Sequence, residues 1–179
     1  MKKMKLPSAC LVLVAAAILC AGPVRQAQAQ AATQAATQGA ASVFAVAEIH
    51  YVDTSGEAID QSADHRRRLR EFEATLRSDL AASGKMANAM LECPVNACSV
   101  GDLNDAQLLD KAKEAGATHL VIGRFHKMST LIQQAKFDVI DVKARKMVFD
   151  RYITFRGDND AAWRHAESFV ARQIINQEW

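Results

Sequence analysis

Residues 118–155 read THLVIGRFHKMSTLIQQAKFDVIDVKARKMVFDRYITF. Three runs rich in β-branched and aromatic residues, THLVIGRFHKM, LIQQAKFDVIDV and KMVFDRYITF, are parted only by Ser129-Thr130 and by Lys143-Ala144-Arg145. Connections that short cannot cross over a sheet, so the runs predict an antiparallel meander. Gly123, alone inside the first run, marks a bulge or a place where another group packs closely on the strand.

The chain leaves the meander through FRGDNDAAWRHA, residues 155–166. Gly157 can take a backbone shape that other residues avoid, and Asp158, Asn159 or Asp160 can cap the first turn of a helix. That helix, DAAWRHAESFVARQIINQ, has Ala162, Ala166, Phe169 and Ile174 for its buried stripe, joined by Trp163 and Val170. The tripeptide Arg156-Gly157-Asp158 spells an integrin motif, but at a strand-to-helix junction it reads as a turn. The Asp-Asn-Asp run lacks the central glycine and closing glutamate of a calcium loop.

Toward the amino terminus, SVFAVAEIHYVD (42–53) is a nearly continuous apolar run of the kind that forms a central strand. DHRRRLREFEATLRSDLAASG places Leu69, Phe72, Leu76 and Leu80 at helical spacing and ends on Gly84. The basic cluster His65–Arg70 within it reads as a solvated helix face. A short strand in KMANAML and a loop, ECPVNACSVGD, come next. A second helix follows in NDAQLLDKAKEAG, capped by Asn104 or Asp105, with Leu108, Leu109 and Ala112 inward and Gly116 at its end. The expected fold is therefore α/β of the α+β kind. It is a single mixed sheet of about five strands with three helices in the order β-α-β-α-β-β-β-α, closing with an antiparallel meander and a C-terminal helix.

The first 41 residues have a different character. MKKMK, the uncharged run ACLVLVAAAILCAG and the alternating small residues Ala27 and Ala29 are ordered as an export signal is, so residues 1–29 are expected to be cleaved. The bulky Leu19 ahead of Cys20 disfavours lipid attachment there. Residues 30–41 repeat Ala-Ala-Thr-Gln without a large apolar side chain, which predicts a flexible linker to a single domain over 42–179. Loss of the leader removes Lys2, Lys3, Lys5 and Arg25, turning the formal charge from +2 to −2. The basic balance thus belongs to the leader, and nothing in the remainder asks for nucleic acid. The expected location is the periplasm, with no stable membrane insertion after cleavage.

Catalytic signatures are missing from the sequence: it has no Gly-x-Ser-x-Gly elbow, no Ser-x-x-Lys and no phosphate-cradling glycine loop. Histidines 50, 65, 119, 126 and 165 include no ligand pair at metal-binding spacing, although His50 and Asp53 share one strand end. Neither a metal nor a cofactor is called for. Cys93 and Cys98, the cysteines left after cleavage, predict a structural disulfide in an oxidising compartment. Closing so small a loop is worth roughly 2 kcal/mol on the loop-entropy model.

Over residues 43–177, FEATLRSDLAASGKM, AKEAGATHLVIGRF and FDVIDVKARKMVFD resemble a group of secreted proteobacterial domains of unknown function. The order of elements is also similar to the amino-terminal domain of TolB and to the periplasmic domain of the lipoprotein activators of penicillin-binding proteins. RGDNDAAW resembles a loop of the uncharacterised group through Arg156, Gly157, Asn159, Asp160 and Trp163. The resemblance implies a non-enzymatic adaptor that docks on an envelope protein. The loop residues Arg156, Asp158, Asn159, Asp160 and Trp163, and the Cys93–Cys98 loop, are the expected docking candidates. The alternative is a carrier of a small ligand or metal serving a dehydrogenase or transporter.

Overall fold

A computed structural model describes residues 42–179. The expected leader (1–29) and linker (30–41) lie outside the described residues. The chain runs β1 (Ser42–Val46), β2 (His50–Asp53), α1 (Ser62–Ala82), β3 (Met86–Ala89), α2 (Asp105–Glu114), β4 (His119–Lys127), β5 (Ile132–Asp141), β6 (Lys146–Arg156) and α3 (Asp160–Ile175). The sheet order is β3-β1-β4-β5-β6, with β2 beside the second half of β4. β1 is parallel to β3 and β4, β2 is parallel to β4, and β4, β5 and β6 form the antiparallel meander.

The strand expected over residues 42–53 is two strands separated by a bulge. Val46 pairs with Val121 and His50 with Arg124, so four steps on one strand oppose three on the other. One residue too many must be turned out of the ladder, and its backbone groups need other partners. Ile49 N–H donates to Glu73 Oε1 of α1 at 2.8 Å, and Glu48 N–H donates to the Cys98 carbonyl at 3.1 Å. The Glu48 carboxylate accepts in return from the backbone N–H groups of Asn96 and Cys98. Burial pushes the Glu73 carboxyl above its ordinary range, although the Ile49 bond opposes the shift.

Helices α1 and α3 cover one sheet face, where Phe72, Leu76, Leu80, Trp163, Val170 and Ile174 pack on Phe44, Val121, Phe125 and Phe137. The opposite face is covered by α2 and the Cys93–Cys98 loop, through Leu108, Leu109, Ala112 and Cys98 on Ala45, Leu120, Ile122 and Ile140. Asn104 caps α2 in a reciprocal bond pair with Gln107. Length limits what α2 can do: its ten residues span about 15 Å, whereas the nine of β4 span about 30 Å. Its cover ends near Arg124, whose guanidinium lies 3.9 Å from Asp105 at the helix start. Beyond that point the sheet face is bare.

Gly123 sits where the bulge closes over β4. A Cβ there would come within 2.9 Å of both Ile49 Cγ1 and Phe137 Cε1. Alanine ordinarily improves on glycine within a strand, but here the methyl has no room. Gly123→Ala is therefore expected to lower stability by about 1–3 kcal/mol, seen as a reduced urea midpoint at unchanged slope. A midpoint at or above that of the wild type would contradict the packing described.

Candidate functional site

The parallel strands β2 and β4 end beside the amino termini of α1 and α3, and the chain gathers its densest set of charges there. Lys127, the last residue of β4, lies on the same inward-facing row as Val121 and Phe125 and is fully buried. Its ammonium donates to Asp158 Oδ2 at 2.7 Å, to Gln61 Oε1 at 2.7 Å and to Glu57. Gln61, the residue preceding α1, thus spends its side chain on Lys127 and makes no helix cap. Asp158 also accepts from His65 Nε2 at 2.8 Å and from Arg68 Nη1 at 2.8 Å. With His65 Nε2–H committed to Asp158, Nδ1 accepts from the Tyr51 hydroxyl at 3.0 Å. Arg67 and Arg68 both donate to Asp160 Oδ1 at 2.8 Å.

Each charge in the cluster is set by its neighbours. Burial pushes the Asp158 carboxyl up, but bonds from Lys127 and His65 outweigh it and hold the group below the usual carboxylate range. Burial pushes Lys127 down, and Asp158 and Glu57 together more than restore it. Burial, reinforced by Asp53 and Asp158, raises the Tyr51 hydroxyl well above its ordinary value and keeps it a donor. Bonds from Arg67 and Arg68 hold Asp160 at about 2. The carboxylates also sit at helix amino termini, where the backbone favours negative charge. The buried charges of the cluster are thus paired with one another.

The RGDND loop divides between inside and outside. Gly157 adopts φ +100° and donates its N–H to the Leu131 carbonyl at 2.9 Å. The cap is Asn159, whose Oδ1 accepts from Ala162 N–H at 3.0 Å. Asp158 turns inward to Lys127, and Trp163 is a core residue, 3 % exposed, stacked on Phe125 with ring centroids 4.7 Å apart. Both side chains are packed inside the fold, away from the exposed surface of the loop. Phe169, expected in the buried stripe of α3, is instead exposed, because that stripe runs through Trp163, Ala166, Glu167, Val170, Ala171 and Ile174. Arg156 and Asn159 are exposed and Asp160 is half-buried.

The basic cluster of α1 also departs from expectation. Arg66 and Arg70 do face solvent, but His65 is buried and Arg67 and Arg68 bind the loop. Cys93 and Cys98 are bonded, with Cα atoms 5.6 Å apart. Their loop lies across α1 from the RGDND loop, sharing a cleft of about 350 Å³ with Arg66 and Arg70. The two docking candidates therefore do not form one surface.

Arg156 belongs to a different feature. Phe155 packs on Phe125 and Trp163, so strand alternation directs Arg156 to the bare sheet face along with Tyr152. There Val52 and Tyr152 line a shallow trough of about 320 Å³ with His50, His126, Gln134 and Lys136. Val52 is 40 % and Tyr152 56 % exposed. Among the described residues no three His, Cys, Asp or Glu side chains gather to hold a metal, and no helix is long and apolar enough to cross a membrane.

Residues 42–175 match the DUF3280 family, whose description reads "Protein of unknown function (DUF2380)". The chain belongs to that family. No curated protein matches it in sequence. Among solved structures, the fold is similar to a hypothetical protein from Chlamydia trachomatis, at 10 % identity over 76 % of this chain and 96 % of that one, with a TM-score of 0.51. TolB from Acinetobacter baumannii aligns at 16 % identity over 75 % of this chain, with a TM-score of 0.47. This chain spans only 27 % of that TolB. The carboxy-terminal domain of LpoB from Escherichia coli aligns at 13 % identity over 71 % of this chain and 93 % of that domain, with a TM-score of 0.46. The resemblance to an uncharacterised family, expected from the sequence, is met by the DUF3280 match.

Sequence reading did not anticipate Lys127, His65 or Arg68 as one cluster. A signal was present: Lys127 falls on the inward parity of β4, and an inward lysine requires buried anions. Replacing Lys127 by Met would leave Asp158 buried without its ammonium, an expected loss of about 3–5 kcal/mol. Replacing Arg145 of the exposed Arg145–Asp110 pair is expected to cost under about 1 kcal/mol. Because Asp158 is held below its ordinary value, its contribution is present above about pH 4 and lost as pH falls below that. Urea midpoints recorded against pH should show a steep acid limb that flattens in Asp158→Asn. Lys127 is held above its ordinary value, so its contribution is lost only as pH rises beyond about 10.5.

Proposed function

We propose that the domain is a non-enzymatic docking module of the cell envelope, and that it binds a protein partner through the bare half of its sheet. The observation that carries this reading is the placement of exposed Val52 and Tyr152 on a rigid strand surface that α2 is too short to cover. Charged and polar side chains of β4 and β5 stand between them: Arg124 donates to Asp138 at 2.8 Å, and Lys136 bridges Asp138 and Asp150 at 3.3 and 3.2 Å. Aromatic and arginine side chains are enriched in protein interfaces, and this face carries Tyr152, Arg124 and Arg156. The closed charge cluster supports the non-enzymatic side of the reading, since its members are committed to one another.

Export to the periplasm is part of the same proposal. The basic, apolar and small-residue order of the first 29 residues supports it, as does the Cys93–Cys98 bond, a feature of oxidising compartments. Of the loop residues considered from sequence, Arg156 is retained as a rim contact. Asp160 is held by Arg67 and Arg68 on the α1 side and Asn159 caps α3, while Asp158 and Trp163 act by holding the loop in place.

Partner capture from periplasmic extract after mild crosslinking tests the assignment. Tyr152→Glu is expected to reduce capture about 30-fold, the scale of a central interface residue worth about 2 kcal/mol. Arg156→Ala should reduce it by a smaller factor. Both variants should keep the wild-type circular dichroism and urea midpoint. Undiminished capture by the folded double variant would remove the sheet face from consideration.

A further inference from the structure

We propose that the cleft between α1 and α3 binds an organic ammonium group, with Glu167 as its counter-ion. The cleft has a volume of about 230 Å³ and lies on the helical side of the sheet. Phe72 and Trp163 give it apolar walls, while Glu71 and Arg164 stand among its lining residues. Glu167 is 2 % exposed, yet its Oε1 has no hydrogen-bond partner and its Oε2 accepts only a long 3.4 Å bond from the Ser168 hydroxyl. No lysine, arginine or histidine forms an ion pair with it among the described residues. The indole N–H of Trp163, in the same cleft, is likewise buried and unpartnered.

Such a carboxylate is costly to the fold. Buried polar groups almost always find partners, and a buried charge without one is strongly disfavoured. Glu167 occupies the core stripe of α3 between Trp163 and Val170, where an apolar side chain would simply pack. Burial, with Asp79 adding to it, pushes the carboxyl up to about 7. A cation entering the cleft would relieve that cost. The lining also carries Arg68, already paired with Asp158 and Asp160, and the exposed Arg164, so the unpaired charge inside the cleft is that of Glu167, and a neutral molecule leaves it without a counter-ion. A short alkylammonium fits both features, its charge on Glu167 and its methylenes against Phe72 and Trp163. A free amine and the lysine side chain of another protein share this chemistry. The site is separate from the bare sheet face and does not rest on the docking proposal.

The test is an NMR titration of the full chain that follows the Trp163 indole N–H, with calorimetry alongside. Butylammonium should shift that resonance saturably, with a Kd of about 1 mM, the scale for a ligand of five non-hydrogen atoms. Glu167→Gln, which keeps the shape and removes the charge, should weaken binding at least about tenfold, equivalent to roughly 1.4 kcal/mol. Butan-1-ol should not compete at comparable concentration, a control that stays decisive even if the variant folds poorly. Comparison with Nα-acetyl-lysine methylamide separates the sources. Binding of both compounds favours a side-chain ligand, and binding of butylammonium alone favours a free amine. Absence of saturation, an unchanged Kd in folded Glu167→Gln, or equal binding of butan-1-ol would overturn the proposal.

Discussion

The buried ammonium of Lys127 is the constraint on which the rest of this structure depends. Desolvating such a charge costs several kcal/mol, so the sheet can bury the end of β4 only if anions converge there from elsewhere in the chain. The anions come from two directions, Glu57 ahead of α1 and Asp158 after β6; the Gln61 amide oxygen joins them, and His65 and Arg68 of α1 donate in turn to Asp158. One lysine therefore fixes where both long helices begin. In open α/β sheets the carboxyl ends of parallel strands commonly hold a ligand, and helix amino termini attract anions. Here the chain's own carboxylates take that place, and the position that would ordinarily bind something else is used to hold the fold.

The β1–β2 bulge is a second constraint of the same kind. Turning one residue out of the ladder frees backbone donors: Ile49 N–H goes to the Glu73 carboxylate and Glu48 N–H to the Cys98 carbonyl, while the Glu48 carboxylate accepts from the loop's Asn96 and Cys98 N–H groups. Glu73 ties the bulge to α1, while Glu48 ties the Cys93–Cys98 loop to the strand. The disulfide thus closes a loop that is already hydrogen-bonded to the sheet, which makes the loop a rigid part of the second layer. Gly123 is the consequence on β4, since Ile49 of the bulge leaves no space for a side chain opposite it.

Element order, the meander, the caps and the helical core faces were legible in the sequence because each rests on local spacing. The Asn104 cap, the Leu108–Leu109–Ala112 face and the turn at Gly157 are examples. What was not legible depends on contacts between distant residues. The extra residue between Val46 and His50 becomes a bulge only against the register of β4, and Arg67 and Arg68 become loop anchors only once Asp158 and Asp160 are brought to them. Phe169 misled because hydrophobicity outweighed spacing: the stripe at 163, 166, 167, 170, 171 and 174 is regular, but it includes a glutamate. A charged residue on a regular apolar stripe, like the inward lysine of β4, is the sequence-level sign of a polar group that needs a partner.

The unequal lengths of the helices carry the functional consequence. α1 and α3, of 21 and 16 residues, pack together along their side of the sheet, whereas α2, of ten, reaches along only part of the other. A sheet face left bare by chance would be expected to be uniformly polar along its exposed row. This one sets paired charges, Arg124 with Asp138 and Lys136 with Asp150, on the strands that run from Val52 to Tyr152. Pairing the charges within the face lowers the cost of covering them, because a partner need not supply a counter-ion for each one. It also leaves the two apolar side chains as the groups that gain most from being covered. The face is thus suited to contact with another surface, and the rigid layers behind it mean that little order has to be acquired on binding.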